Sequence, residues 1–375
     1  MSVKKVLLIV LFFLGSGFGF AQDHHDHEAS HASTESAEGF NASEVILHHI
    51  LDSHDWHITD LPGGGEISIH LPWMFHSSRD GFVFASGSED LLHKGYLAYH
   101  DHIYPLKEGV EVHADDHGHV HIDNWEAWEQ NNTDHEVSVL DFSFTKTSFQ
   151  MLLIAIVVLL VFMAVAKGYQ KNRGGAPKGI QSFFEPIIIF VRDEVAKNYL
   201  GDKAIAFTPY LLTLFFFIWF SNLFGLMPFN SNIAGNISVT VALSLLTFIL
   251  IQVNGSKDYW AHIFWTPGIP FPMRFILIPV EVLGIFTKPF ALAIRLFANI
   301  TAGHFMVLGL ISLIFIMGKA GANAVGGFSI APLSVLFTIV IFCLEMIVAI
   351  VQAYIFTLLT AVFIGMAMES HDDHH

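Results

Sequence analysis

The sequence predicts an all-α integral membrane protein carrying a small exported N-terminal domain of mixed, mainly β structure, and three observations carry that expectation. Apolar residues make up 53% of the 375-residue chain, and they gather into runs long enough to cross a hydrocarbon layer of about 30 Å. Charge is divided unevenly: residues 22–143 hold 24 of the 34 acidic residues but only 3 of the 18 basic ones. Histidine follows the acid, with 18 of 23 in the same segment. One part is composed for water and the other for lipid.

The first residues indicate where the acidic part goes. Lys4 and Lys5 precede a short apolar core that ends in Gly19, Phe20 and Ala21, the layout of a secretory signal cleaved after Ala21. Residues 22–39 are poor in apolar side chains and read as a disordered leader. Ordered structure is expected from Ser43, which can cap a short helix bearing Val45, Ile46, Leu47, Ile50 and Leu51. The alternating segments 67–71, 81–85 and 119–123 read as strands, with Trp56, Trp73, Trp125 and Trp128 as core material. Close histidines such as His24/His25 and His117/His119/His121 invite a metal reading, but no zinc or H-E-x-x-H spacing accompanies them, so solvated, proton-buffering surface is the better account.

The membrane body begins after Ser143. Residues 151–166 form the first span, and Lys167, Lys171, Arg173 and Lys178 behind it place its end in the cytoplasm. In residues 177–201 a stripe of Ile180, Phe183, Phe184, Ile187, Ile188, Val191 and Val195 marks an amphipathic helix on the cytoplasmic face, interrupted near Pro186. Two ordinary spans follow, 205–227 and 235–253, joined by a Pro/Asn-rich turn at 228–232. The apolar stretches 275–317 and 329–368 are each about 60 Å long as helix, too long to stand upright, so each is expected to be tilted, broken or doubled back. Residues 318–327 would connect them externally. Five crossings then leave the C-terminus, with its His-rich tail 371–375, in the cytoplasm. Cys343, the only cysteine, reads as a small buried hydrophobe.

Polar residues inside the two long stretches are few and ordered. Arg295 stands in the middle of an apolar run, where a cation costs roughly 3 kcal/mol or more and therefore faces a protein partner or a water path. It keeps its proton at any physiological pH, so it suits a fixed charge and not a carrier. Glu281, Lys288, Arg295 and Asn299 are spaced seven, seven and four apart, along one helical face. His304, nine positions past Arg295, falls on the opposite side and points to the last helix, where Glu345 and Gln352 share a face. A histidine and a carboxylate held together in low dielectric can each exchange a proton near neutrality.

These segments resemble the a subunit of F-type ATP synthases. The likeness is carried by SNLFGLMP (221–228), PVEVLGIFTKPFALAIRLFANITAGH (279–304) and VQAYIFTLLTAVFIGMA (351–367), and it covers residues 147–370. The resemblance implies a proton-conducting stator subunit. In it Arg295 looks like the family's stator arginine facing the carboxylates of a c-subunit ring. Asn299 and Gln352 match polar positions beside it, His304 and Glu345 the pair of the external half-channel, and Glu281 a position on the cytoplasmic half-channel. Asn222 matches the family's N-L-x-x-L-x-P asparagine, and Lys288 is channel-associated by its place on the Glu281–Arg295 face. The family further implies b subunits of a peripheral stalk, the remaining synthase subunits and membrane lipid as partners, the inner membrane as location, and no cofactor. The chain has no G-x-x-x-x-G-K-[ST] loop, so nucleotide chemistry would belong to those partners. A secondary transporter could also bury Arg, Glu and His, but it would show internal repeats. A membrane-anchored metal sensor would leave Arg295 unexplained. For the acidic domain the sequence suggests only that it lines the outer mouth of the proton inlet.

Overall fold

The computed structural model describes residues 55–61, 65–99, 102–107, 109, 110, 112, 122, 125–171, 175–227, 233–264, 271–318 and 323–369. The signal 1–21, the leader 22–39, the helix from Ser43, the turn 228–232 and the tail 371–375 lie outside those residues. So does the 119–123 alternation, except Ile122, which belongs to no strand. The chain divides between Gln150 and Met151 into two compact units.

The N-terminal unit is built from small antiparallel sheets. Strands β1 (Asp55–Leu61) and β2 (Gly65–His70) form one hairpin, and β5 (Tyr96–Tyr99) and β6 (His102–Pro105) another. Between them β3 (Trp73–Ser77) pairs with β4 (Gly81–Ala85) on one side and β7 (Val139–Asp141) on the other. The period-two pattern sends Trp73, Phe75, Val83 and Ala85 inward, onto Tyr96 and Leu91 of helix α1 (Ser88–His93). Trp125 and Trp128 do not join this core. They sit half-buried on helix α2 (Trp125–Asn132), stacked on each other, with Trp125 stacked 3.9 Å from Tyr99. Arg79 ties the unit together: it donates to Asp80 (3.0 Å) and to the Leu106 carbonyl (3.1 Å) and lies over the Tyr96 ring. The Tyr96 hydroxyl, donating to Asp80 at 2.6 Å, and then Arg79 hold the Asp80 carboxyl below its ordinary range.

The second unit is helical. Among the described residues four helical runs are long and apolar enough to cross a membrane, or five if one sharply bent pair is a single span. Helix α3 (Lys146–Lys171) is the first. Helix α4 (Ile180–Phe190) passes through Pro186 without a break and continues as a π-helix over Val191–Lys197. The interruption expected at Pro186 therefore falls later. Pro186 lies in the second turn, where its missing N–H leaves only the Ser182 carbonyl without a helical donor, a small local loss. The apolar stripe is narrower than its pattern: Phe184, Val191 and Val195 are buried, while Ile180 and Phe183 are exposed. At Gly201 the backbone leaves helical geometry with φ 53° and ψ −128°, conformations open to glycine. Helix α5 (Ala204–Gly225) then runs through the centre of the unit, burying Leu214, Phe215, Phe216 and Ile218. Phe216 meets Phe162 of α3 and Phe184 of α4 edge-on at 4.8 and 5.6 Å.

Helix α6 (Ile237–Val253) is capped by Asn236 and turns by 101° into α7 (Lys257–Phe264). The two long stretches are single helices, α8 (Phe271–Met317, 47 residues) and α9 (Ala324–Met368, 45 residues), close to 70 Å each at 1.5 Å per residue. Of the alternatives open at the level of sequence, breaking and doubling back are excluded: Pro279, Pro289 and Pro332 are all absorbed. The segment 324–327, expected in their connection, is instead the first turn of α9, capped by Asn323. The other end of α9 is closed by Ser256, whose amide and hydroxyl donate to the Ala367 and Glu369 carbonyls at 2.7 and 2.9 Å. Cys343 is exposed, not buried, because no described residue of this unit covers the outer face of α9.

Two outcomes test this packing. A Cβ on Gly365 of α9 would strike the Tyr199 carbonyl oxygen, so Gly365→Ala should lower the melting temperature of the detergent-solubilised protein by several degrees, whereas Gly284→Ala, where a Cβ meets nothing, should not lower it. In the first unit, Asp80→Asn should speed hydrogen exchange in residues 73–106 at neutral pH. Because the folded carboxyl is depressed, the stabilisation is present above the unfolded pKa of about 3.9 and is lost as pH falls through the lower folded value, so mutant and wild type should converge in strong acid.

Candidate functional site

The polar residues of the long helices are organised by the way α8 and α9 pack against each other. Their antiparallel register is fixed at five levels. Lys288 lies with its ammonium 5.3 Å from the Phe363 ring centroid. Asn299 donates its amide to Gln352 Oε1 at 2.9 Å. Glu345 packs against the backbone of Gly303. The Ser334 hydroxyl donates to the Leu310 carbonyl, and at the far end Gly318 and Gly327 approach so closely that a Cβ on Gly327 would lie 3.3 Å from the Gly318 Cα. Small residues allow such approaches, and polar groups lock them, where lipid offers no hydrophobic drive between helices.

Within this register α8 turns Leu292, Ala293, Leu296 and Ile300 into the core and leaves Arg295 exposed. Neither a hydrogen bond nor an ion pair reaches the Arg295 guanidinium from any described residue. Its exposed neighbours along α8, Phe290 and Ile294, are apolar. One helical turn beyond, Asn299 is held by Gln352, which is itself buried. The sequence-predicted Arg295, Asn299 and Gln352 are thus brought within one helical turn of one another along the helix pair.

Glu345 and His304 also come to one level. His304 is half-buried and immediately follows Gly303, the residue on which Glu345 rests. Glu345 Oε1 is buried with no hydrogen-bond partner among the described residues. Two further buried hydroxyls without such a partner, Thr301 and Thr338, lie on the same two helices. Glu281 and Lys288 are half-buried and form no ion pair with each other, so their shared face is not an internal salt bridge. Asn222 stands apart: it is fully buried on α5 and donates to the Ala349 carbonyl of α9 at 3.3 Å, a clamp between helices. Sequence reasoning missed Gly303 and Thr338. The signal for Thr338 was present, since Thr338, Glu345 and Gln352 continue one heptad spacing; nothing in the sequence reveals that Gly303 makes room for a side chain forty-two residues away. Among the described residues no group of three His, Cys, Asp or Glu is placed to hold a metal, and the histidine pairs noted in the leader and at 117–121 lie outside them.

Comparisons with known proteins cover both units of the chain. A family model described as ATP synthase A chain matches residues 149–365, and one described as a domain of unknown function matches residues 45–142. Relatives carrying the name ATP synthase subunit a include a protein of Chloroherpeton thalassium, 40% identical over 280 residues, which are 73% of this chain and 78% of the relative. Another, from Anaeromyxobacter dehalogenans, is 44% identical over 245 residues, 63% of this chain and 61% of the relative. A third, from an Anaeromyxobacter species, is 38% identical over 370 residues and covers 94% of this chain and 77% of its own length. That likeness takes in the N-terminal unit as well as the helices.

The Asn299–Gln352 bond gives a direct check of the register. In a double-mutant cycle of Asn299→Leu and Gln352→Leu, unfolding in mixed micelles should return a coupling energy of about 1 kcal/mol; strict additivity would mean the two side chains do not meet.

Proposed function

We propose, from the premise that this chain belongs to the ATP synthase A chain family, that it is the proton-conducting stator subunit of an F-type ATP synthase. It provides two offset half-channels and a fixed Arg charge that couple proton flow to ring rotation and ATP synthesis. Family membership already makes it a multi-pass membrane component of an ATP synthase whose partners are the other subunits of that complex. The finer reading rests above all on Arg295: a permanent cation, exposed on an apolar helix face and unpaired within the described chain, needs an anion supplied by another chain.

The partner chemistry follows. Carboxylates carried in turn by a ring of c subunits would meet Arg295, and each would be held ionised while it is there. A proton reaching the ring from the external side passes by way of Glu345 and His304, where an acid and an imidazole lie at one level of the helix pair. The neutralised carboxyl can then leave Arg295 and travel through lipid, since a neutral acid costs far less there than a carboxylate. Arriving from the other direction, a protonated carboxyl releases its proton toward Glu281 as it comes under the influence of Arg295. Arg295 cannot give up its own proton, so it separates the two paths instead of joining them. Asn299 and Gln352, bonded to each other, keep the polar wall next to the guanidinium in one conformation. Asn222 maintains the spacing of α5 and α9 behind that wall, and Lys288 stabilises the cytoplasmic part of the same face. Each charge transferred is worth about 2.3 kcal/mol per 100 mV, so several transfers drive one ATP. The subunit is non-catalytic by itself. It resides in the inner membrane with its N-terminal domain exported, its C-terminus cytoplasmic and b subunits of the peripheral stalk beside it.

The deciding experiment is ATP-driven acidification of inverted membrane vesicles. Arg295→Ala should abolish acidification while the complex still assembles, and Glu345→Gln should reduce it at least tenfold, the change expected when about 1.4 kcal/mol or more is added to a rate-limiting proton transfer. Normal acidification with Arg295→Ala would overturn the reading.

A further inference from the structure

The three-stranded sheet of the N-terminal unit has a face that an ordinary water-soluble sheet would not leave bare. Its inner face carries Trp73, Phe75, Val83 and Ala85. By the same alternation its outer face carries Met74 and His76 from β3, Phe82 and Phe84 from β4 and Leu140 from β7, in register as Met74 opposite Phe84 and His76 opposite Phe82 and Leu140. Phe82 is 69%, Phe84 57% and Leu140 61% exposed. No charged side chain belongs to this outward set, although the surrounding segment holds 24 acidic residues. An apolar face of this kind in an otherwise acidic segment marks a contact surface.

What covers it is indicated by where the chain goes next. β7 does not end freely at Asp141. The Phe142 amide donates to the Met74 carbonyl at 2.8 Å, and the Ser143 hydroxyl accepts from the Met74 amide at 3.0 Å, so the strand stays attached to the sheet through Ser143. The Phe142 ring stacks parallel to Phe82, centroids 6.4 Å apart. Only Phe144 and Thr145 then intervene before α3, whose first turn is closed by the Thr145 hydroxyl accepting from the Ser148 amide. Six residue steps separate Leu140 from Lys146, a reach of at most about 20 Å even fully extended. Leu140, on the strand of the face nearest in sequence to α3, is thus tethered within that distance of a helix long and apolar enough to cross a bilayer, and Phe149 on the first turns of α3 is exposed.

We propose that the outer face of β3, β4 and β7 rests in the interfacial layer of the lipid leaflet that α3 enters, with Phe82, Phe84 and Leu140 at the boundary between headgroups and acyl chains. The chemistry favours lipid over a protein partner. The face is apolar and nearly featureless, with one imidazole and no charge to specify a mate, which suits a fluid surface that accepts aromatic side chains at many positions. The acidity of the segment gives no attraction to anionic headgroups. Attachment must come from apolar contact, and it is therefore insensitive to salt, unlike the contact of a basic patch. The inference requires only that α3 crosses a membrane and stands whether or not the proton path above is correct.

The test uses the whole complex in vesicles of zwitterionic phospholipid. Single fluorophore sites are introduced as Phe82→Cys, Phe84→Cys and Leu140→Cys on a Cys343→Ser background, with Gln130→Cys, exposed on α2, as reference. A nitroxide carried at headgroup depth on the lipid should quench the three sheet sites several-fold more than the reference. Iodide present on both sides of the membrane should quench them several-fold less, with no change at high salt. Iodide quenching equal to that of the reference would place the face in water and overturn the proposal. Protection from both quenchers would mean that protein covers the face, and would overturn it equally. Three independent reporters guard against one substitution that perturbs the sheet.

Discussion

Everything distinctive about the helical unit depends on the antiparallel packing of α8 against α9. The pairing is held from Lys288 and Phe363 at one end to Gly318 and Gly327 at the other. It is made of contacts that work in lipid: backbone approach across glycine, an amide bonded to an amide, a hydroxyl bonded to a carbonyl. A shift of one helical turn along this seam would separate Asn299 from Gln352 and press Glu345 onto a residue with a Cβ. The same register determines which face remains bare. Once Leu292, Leu296 and Ile300 are committed inward, the helical period leaves Arg295 outward.

The back of the pair is filled by α5, and the filling is as consequential as the seam. Phe215, Phe216 and Ile218 give the unit an aromatic core that also receives α3 and α4. Two buried polar pairs within it are satisfied across helices: Asn222 on the Ala349 carbonyl, and Tyr210 with Thr247 at 3.0 Å. Buried groups of this kind fix the relative level of neighbouring helices, since an unmade hydrogen bond in a medium without water costs more than a made one gains. The unit is therefore densely packed on one side and, among the described residues, uncovered on the other.

Much of this was legible in the sequence, for identifiable reasons. Long apolar runs and their basic flanks report spans directly. Heptad spacing reports a helix face, so Glu281, Lys288, Arg295 and Asn299 could be aligned before any coordinates existed. Pairing is different. That Gly303 is small because Glu345 occupies its place depends on two segments forty-two residues apart, and a glycine in an apolar run carries no mark of its partner. Cys343 was misjudged because hydrophobicity signals burial in general and cannot say whether protein or lipid provides it. Pro186 was misjudged because the cost of proline depends on how near the start of the helix it falls. In the N-terminal unit, alternation located β2 and β4, while the separation of Trp125 and Trp128 from the core followed from ring stacking with Tyr99 that no local pattern encodes.

The two cations of α8 show how the structure sorts residues that the sequence presents as equivalents. Lys288 and Arg295 share a face, one heptad apart, and both would be costly if left unattended in hydrocarbon. Lys288 is attended from within: its ammonium lies over the Phe363 ring, and its long stem suits a charge that settles against an aromatic face near the membrane boundary. Arg295 receives no hydrogen bond or ion pair from the described residues, although α9 passes alongside with Gln352 already committed to Asn299. A side chain with five fixed donors and no acceptor among the described residues is free to take the external acceptor that the proposed function assigns to it. On the proposed reading this arrangement is itself structural, because an internal carboxylate at this level would neutralise the guanidinium permanently and leave no reason for an external one to stop there.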